Sequence, residues 1–144
     1  LSRCFICSGI IYLCSVVLSV YQVSVKPGKQ SVLLPCKTIV HLPEDIRLVW
    51  RDRDNKVVHV YENGQNQDGE QDNLYRQRTE MNSALLKTGN LSLGLKNPTY
   101  KDRGTFTCIV SNKEGNTLVK KRVILQVKET HCGRKHWLCV SLLS

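Results

Sequence analysis

The chain has 144 residues and a formal net charge of +9, a length that suits one domain of ordinary size with short tails. Basic and acidic residues are interspersed, and only Lys120-Lys121-Arg122 forms a cluster. A solvated sheet face therefore explains the charge better than the aromatic-lined basic stripe of a nucleic-acid-binding protein, although a modest attraction to acidic glycans or phospholipid stays open. Seven cysteines in so short a chain indicate an oxidising compartment.

Residues 1–19 form an apolar leader, with Arg3 near its start. The apolar run is closer in length to a signal-peptide core than to a spanning helix, which needs about 20 apolar residues. Val17-Leu18-Ser19 places small or modest residues at the −3 and −1 positions of a cleavage site. We therefore expect a cleaved signal peptide over residues 1–19, and the alternative is a signal anchor that stays in the membrane.

The following residues alternate between apolar and polar side chains in short runs that turn residues separate, which predicts β-strands. Strands are expected at about residues 21–25, 31–36, 48–51, 57–61, 78–86, 91–95, 106–110 and 119–127. The clearest alternation is Leu91, Leu93 and Leu95, which we expect in the core. Residues 65–73 are polar and predict a loop or a weak edge strand.

Three features share the order and spacing of an immunoglobulin sandwich. Cys36 is followed fourteen residues later by Trp50, and a segment that begins at Asp102 ends in Cys108. This resembles a cysteine on strand B, a tryptophan on strand C and a corner before the cysteine on strand F. We expect an all-β, two-layer antiparallel immunoglobulin sandwich over residues 20–128, followed by an irregular tail at 129–144. The long interval between the two cysteines leaves room for the extra strands of the variable type.

The resemblance implies roles for several core and corner residues. Cys36 and Cys108 would form the disulfide that joins the two sheets, with Trp50 packed against it. Arg78 and Asp102 would pair across the bottom of the sandwich, as in other variable-type domains. The corner position that usually carries a tyrosine is Phe106, whose ring is expected to fill the core without the tyrosine's hydroxyl hydrogen bond.

Further stretches resemble butyrophilin-like chains, a family that includes relatives of myelin-oligodendrocyte glycoprotein and T-cell costimulatory ligands. These stretches lie at residues 31–36, 58–64, 75–79 and 86–93. The resemblance implies an extracellular protein-binding domain of a cell-surface ligand or receptor that regulates T-cell activation and cytokine production. Its partner would be a cell-surface protein receptor on T cells, with weak homo-association and with neither nucleic acid nor a small-molecule substrate.

Two alternative functions stay open at this stage. One is a homophilic cell-adhesion domain of the myelin-protein type, and the other is a secreted, truncated decoy. The expected location is extracellular: the external side of the plasma membrane in the full-length protein, or secreted if this chain is complete.

Variable-type ligands of this kind commonly bind through the sheet formed by strands G, F, C and C′. If Trp50 and Cys108 point inward, alternation turns a set of neighbouring side chains outward. The predicted partner-binding residues are Val49, Arg51, His59, Tyr61, Thr107 and Ile109. The alternatives are that these side chains only cover the sheet, or that the loop at residues 111–116 binds instead.

Asn90-Leu91-Ser92 is the only acceptable glycosylation sequon, because proline blocks Asn97-Pro98-Thr99. We expect Asn90 to be the glycosylation site, although such triplets also arise by chance. His131, Cys132, His136 and Cys139 in the tail do not have the spacing of a common zinc finger, which favours thiol oxidation over a metal site. No motif places a nucleophile beside any of the four histidines, so we predict no catalytic residue, metal or cofactor.

Overall fold

The computed structural model describes residues 20–128, so the predicted leader and tail lie outside the described residues. The strands are β1 (Tyr21–Val25), β2 (Ser31–Leu34), β3 (Arg47–Arg51), β4 (Val57–Glu62), β5 (Gln65–Asn66), β6 (Thr79–Glu80), β7 (Leu93–Lys96), β8 (Gly104–Ser111) and β9 (Thr117–Val127). Short 3-10 helices occupy Asp68–Glu70, Asn73–Tyr75, Ser83–Thr88 and Tyr100–Asp102.

The strands form two sheets. The six-stranded front sheet has the order β1-β9-β8-β3-β4-β5, and the three-stranded back sheet has the order β2-β7-β6. Neighbouring strands are antiparallel except β1 and β9, which run parallel with Tyr21 opposite Val123. The predicted two-layer immunoglobulin sandwich is confirmed, with this one parallel pair as a departure from a wholly antiparallel arrangement.

The core lies between the sheets and is built from the inward side of each alternating strand. Leu91, Leu93 and Leu95 are completely buried, as the sequence pattern predicts. Trp50 lies opposite Cys108 in the β3–β8 register, and its indole nitrogen donates a hydrogen bond to the Leu91 carbonyl at 3.3 Å. This bond satisfies the one polar atom of the largest core side chain.

Cys36 and Cys108 are both completely buried in this core. The structure has them as free cysteines, so the disulfide stays a prediction. Burial raises the pKa of the Cys108 thiol, and a hydrogen bond that it shares with Cys36 raises it further. The two side chains are thus already close together in the apolar interior.

The predicted ion pair at the bottom of the sandwich is present. The Arg78 guanidinium donates to both carboxylate oxygens of Asp102, at 2.6 and 3.3 Å. Nearby, the buried ring of Tyr75 packs edge-on against Phe106, with ring centroids 6.4 Å apart. The Tyr75 hydroxyl donates a hydrogen bond to Asp52 at 2.7 Å. Phe106 itself has no hydroxyl, so the tyrosine hydroxyl in this region is that of its neighbour Tyr75.

The long strand predicted at residues 78–86 is wrong, because only Thr79–Glu80 pairs in the back sheet. The side chain of Asn82 accepts a hydrogen bond from the Ala84 N–H and caps the following 3-10 helix, Ser83–Thr88. Gly89 ends that helix in the left-handed conformation, with φ of 85°. Asparagine at the N-cap and glycine after the last turn favour a helix over an extended strand.

Within residues 20–128, none of the helices has the length and apolar character needed to cross a bilayer.

Candidate functional site

The front sheet presents a face made of directly opposed side chains of β9, β8, β3 and β4. Val49 lies opposite Ile109 on one side and Val60 on the other, and Ile109 lies opposite Lys120. Opposed residues share a face of a sheet, so these four residues form one row across it. We call this surface the front face.

A second row beside the first is polar. Arg51 lies opposite Thr107, which in turn lies opposite Arg122. Arg51 and Thr107 are half-buried, and Arg122 is exposed. Three predicted partner-binding residues (Arg51, Thr107 and Ile109) therefore lie together on the front face with part of each side chain accessible.

Charge on the front face divides into an acidic end and a basic centre. At the end, the Arg47 guanidinium contacts Glu62 and Glu70, each at 2.6 Å. The hydrogen bond from Arg47 is the main reason why the pKa of the Glu70 carboxyl lies below its usual value. Two carboxylates face one guanidinium in this trio, so the positive charge of Arg47 is more than compensated.

The basic centre has no such direct ion pairs. Within the part of the chain that the structure describes, none of Arg51, Lys120 and Arg122 forms an ion pair with an acidic side chain. These three residues surround the half-buried Ile109 through the register of β3, β8 and β9. The centre of the front face therefore combines one accessible apolar side chain with three basic side chains that have no direct ion pair, although the charge of Glu70 attracts Arg51 from a distance.

The prediction that Val49 is exposed on this face is wrong. Val49 is on the front face but only 8% exposed, and Val60 beside it is 2% exposed. Val49 lies between Arg47 and Arg51 on this side of β3. The apolar stems of arginine side chains cover neighbouring apolar surface while their charged ends stay in water. The accessible apolar centre is therefore smaller than expected and consists mainly of Ile109.

The prediction that His59 and Tyr61 join the front face is also wrong. Trp50 lies opposite His59, but the next residue, Arg51, lies opposite Val57, so Val58 is an extra residue in β4. This bulge changes the pairing only at the Val57 end of β4, where Val58 is also buried in the core. Tyr61 lies opposite Leu48 and His59 opposite Trp50, and because these two partners point into the core, Tyr61 and His59 also lie on the inner side of the sheet.

His59 instead joins a hydrogen-bond network at the edge between the two sheets. Its side chain is 4% exposed, with Nδ1 2.9 Å from the Thr79 hydroxyl and Nε2 3.0 Å from Asn66 Oδ1. Gln71 donates to the same Thr79 hydroxyl and to the Val58 carbonyl, both at 2.8 Å. Since Asn66 Oδ1 is an acceptor, the arrangement fits a neutral imidazole with its proton on Nε2.

The surroundings of His59 favour its neutral form. Burial lowers the pKa of His59 below its ordinary value of 6.5. The hydrogen bond to Asn66 and the negative charge of Asp68 act in the opposite direction but do not cancel the effect of burial. His59 is therefore a structural residue of the sheet edge rather than part of the front face.

Lowering the pH below about 6.5 is expected to destabilise the domain through His59. Because the folded-state pKa is lowered, the unfolded chain binds a proton that the folded domain does not. The free energy of unfolding should therefore fall between pH 6.5 and the lower folded-state pKa. Urea unfolding across this range should show the fall in the wild type and a much smaller one in His59→Gln.

The matched control is His41→Gln, which removes an exposed histidine from a loop. It should keep the pH dependence of the wild type. An unchanged pH dependence in His59→Gln would contradict the assignment.

No group of three or more His, Cys, Asp or Glu side chains within residues 20–128 is placed to hold a metal ion.

Known proteins include several whose amino-acid sequences are similar to part of this chain. No protein-family model matches the chain. Myelin-oligodendrocyte glycoprotein of Pongo abelii is 42% identical over 59 residues, which cover 41% of this chain and 24% of that protein. The V-set domain-containing T-cell activation inhibitor 1 of Homo sapiens is 36% identical over 59 residues, or 41% of this chain and 21% of that protein. The matched segment thus spans about a quarter or less of these relatives' length.

Solved structures share the fold. A chain in the crystal structure of ICOS in complex with ICOS-L and an anti ICOS-L VNAR domain has a TM-score of 0.67 at 26% identity, covering 75% of this chain and 54% of that chain. The human B7-H4 IgV-like domain has a TM-score of 0.62 at 24% identity, with 75% and 91% covered. Bovine butyrophilin has a TM-score of 0.66 at 20% identity, with 76% and 53% covered.

The resemblance to butyrophilin-like and myelin-oligodendrocyte-glycoprotein-like domains is confirmed by these relatives and folds. The chain contains a variable-type immunoglobulin domain similar to those of extracellular, cell-surface immune proteins, which are generally not enzymes.

Proposed function

We propose that this domain is the extracellular binding module of a butyrophilin-like cell-surface ligand or receptor, and that it regulates T-cell activation and cytokine production. Its partner is a protein on the T-cell surface. The relatives support the immune context, since one of them is named as a T-cell activation inhibitor. The observation that carries the proposal is the front face, where Ile109 lies among basic residues that form no direct ion pair within residues 20–128.

The front face suits a partner with an apolar contact and an acidic surround. Ile109 would be the apolar anchor, and Arg51, Lys120 and Arg122 would meet carboxylates. Complementary charge of this kind raises the association rate and suppresses wrong partners. Added salt should therefore slow association, because exposed charges are screened over about 8 Å at physiological ionic strength.

Ile109→Ala is expected to weaken binding to T cells by more than about 1 kcal/mol, because truncation removes a central apolar contact. Titration of fluorescently labelled chain onto T cells measures this loss. Thermal unfolding should stay nearly unchanged, since Ile109 lies outside the buried core. The matched control is Leu33→Ala, which removes an exposed apolar side chain from the back sheet. Equal binding by the wild type and Ile109→Ala would place the binding site elsewhere, with the loop at residues 111–116 as the next candidate.

Homophilic adhesion through the same face is disfavoured by charge. A symmetric dimer would bring the basic centre of one copy against the basic centre of the other, and like charges in contact oppose association. Size-exclusion chromatography over a concentration series tests this point. Strong self-association without T-cell binding would favour adhesion.

We also propose that residues 1–19 are removed as a signal peptide, that residues 20–128 are the binding domain and that residues 129–144 are an irregular tail. The chain is then delivered to the outside of the cell. Mass spectrometry of the protein secreted by mammalian cells should find Val20 as the first residue. Retention of residues 1–19 in a membrane-bound product would support the signal anchor instead.

A further inference from the structure

The outer face of the back sheet has a shallow hollow that the front face does not use. Leu33 lies opposite Gly94 in the β2–β7 register, so an exposed leucine stands beside a position without a side chain. Leu85, from the 3-10 helix Ser83–Thr88, lines the same hollow. Leu33 is 59% and Leu85 is 38% exposed, and the hollow measures about 330 Å³. We call this feature the back-sheet hollow.

Polar side chains line the rim of the back-sheet hollow. Ser31, Glu80, Asn82 and Lys96 all border it. The ammonium of Lys96 lies 3.7 Å from the Glu80 carboxylate, and both side chains are well exposed. An apolar floor with a few polar groups around it is typical of small-ligand sites. It also matches a sugar ring, which has an apolar C–H face and hydroxyl groups at its edge.

Asn90, the first residue of the sequon Asn90-Leu91-Ser92, lines the same hollow. Leu91 is completely buried in the core, and its two neighbours are each partly accessible. The Asn90 side-chain oxygen accepts a hydrogen bond from the Ser92 N–H at 3.2 Å. Within residues 20–128, the structure has no hydrogen bond from the Asn90 side-chain nitrogen. Asn90 therefore borders the hollow, and among these residues its side-chain nitrogen is not held by a hydrogen bond.

We propose that Asn90 carries an N-linked glycan whose first sugar residues lie in the back-sheet hollow, over Leu33 and Leu85. In this reaction the Asn90 side-chain nitrogen forms a bond to C1 of the first N-acetylglucosamine and loses one proton. The donor is a lipid-diphosphate-linked oligosaccharide, and the lipid diphosphate leaves as the C1–oxygen bond breaks. The attached glycan covers exposed leucine surface and leaves the front face as the sheet surface open to proteins.

The attachment is tested on the full chain secreted by mammalian cells. Treatment with peptide-N-glycosidase F should remove one glycan and convert Asn90 to aspartate, which tandem mass spectrometry locates. Asn90→Gln should lack the glycan. Two variants should keep it: Ser92→Thr, which preserves the sequon, and Asn116→Gln, which changes an exposed asparagine elsewhere. An unmodified Asn90 in the secreted wild type would overturn the proposal.

The position of the glycan is tested on the same folded protein, before and after enzymatic deglycosylation, so that folding of a variant does not affect the result. Hydroxyl-radical oxidation of Leu33 and Leu85 should rise severalfold when the glycan is removed. Leu74, which is 55% exposed and does not line the hollow, is the control and should not change. Equal oxidation of Leu33 and Leu85 in both forms would show that the glycan points away from the hollow.

This outcome is independent of the proposed T-cell binding. Asn90→Gln alters the back sheet, and Ile109→Ala alters the front face. An unmodified Asn90 in a wild-type chain that binds T cells would overturn only the glycan proposal. A wild-type chain that carries the glycan at Asn90 and does not bind T cells would overturn only the proposed function.

Discussion

Replacing Trp50 by alanine is expected to lower the free energy of unfolding by about 3–5 kcal/mol. Trp50 is completely buried between the two sheets and lies opposite Cys108. Its removal leaves a cavity that the surrounding strands can only partly close, and it also removes the hydrogen bond to the Leu91 carbonyl. Urea unfolding followed by circular dichroism measures the loss without relying on tryptophan fluorescence.

The matched control for this substitution is Leu74→Ala. The Leu74 side chain is 55% exposed, so its truncation should change the stability by no more than about 0.5 kcal/mol. A loss below about 1 kcal/mol for Trp50→Ala would contradict a sandwich whose core is centred on this residue.

Asp102→Ala is expected to cost about 3 kcal/mol of stability, because it leaves the Arg78 guanidinium without its partner in a largely buried place. The Asp102 side chain is 8% exposed and that of Arg78 is 25% exposed. Asp102 also accepts a hydrogen bond from the Thr99 N–H at 2.8 Å, which the substitution removes. Arg78 retains its hydrogen bonds to backbone carbonyls, which places the expected cost at the lower end for a broken buried pair.

The exposed pair of Glu80 and Lys96 provides the comparison for this prediction. Its charged atoms are 3.7 Å apart and its side chains are 75% and 48% exposed. Glu80→Ala should therefore change the stability by less than about 1 kcal/mol. Similar costs for Asp102→Ala and Glu80→Ala in urea unfolding would contradict a special role for the buried pair.

Much of the core could be predicted from the sequence because its strands alternate without interruption. In the Leu91 to Leu95 segment every second residue is apolar and the residues between are small or polar, so only one face can be buried. The ion pair of Arg78 and Asp102 could be predicted for a different reason, namely the resemblance to variable-type domains. The regular spacing of apolar residues and the family resemblance were together sufficient to predict the two-layer sandwich.

The sequence does not predict which side chains of β4 face the core, because residues 57–61 are all β-branched or aromatic except His59. Such a run gives no period-two signal that fixes which side is buried. Pairing with β3 determines the buried side: His59 lies opposite Trp50 and Tyr61 opposite Leu48, so both lie on the inner side of the sheet with these core residues. This register is set by pairing with β3, which the sequence of β4 alone does not encode.

The hydrogen-bond partners of His59 could not be predicted from the sequence either. Gln71 and Asn66 lie in a polar segment without periodicity, and Thr79 lies in the other sheet. Their convergence on one imidazole requires the two sheet edges to be in place. The front face was predictable where it depends on the uninterrupted alternation of β8, which placed Thr107 and Ile109 correctly.

The most direct test of the front face as a binding surface is position-specific photo-crosslinking on intact T cells. A photoreactive amino acid is placed at Thr107 on the front sheet in one variant and at Lys96 on the back sheet in the other. Binding through the front face predicts that Thr107 crosslinks to a T-cell surface protein, that unlabelled wild-type chain competes for it, and that Lys96 does not crosslink. Competed crosslinking from Lys96 alone, or none from either position, would contradict it.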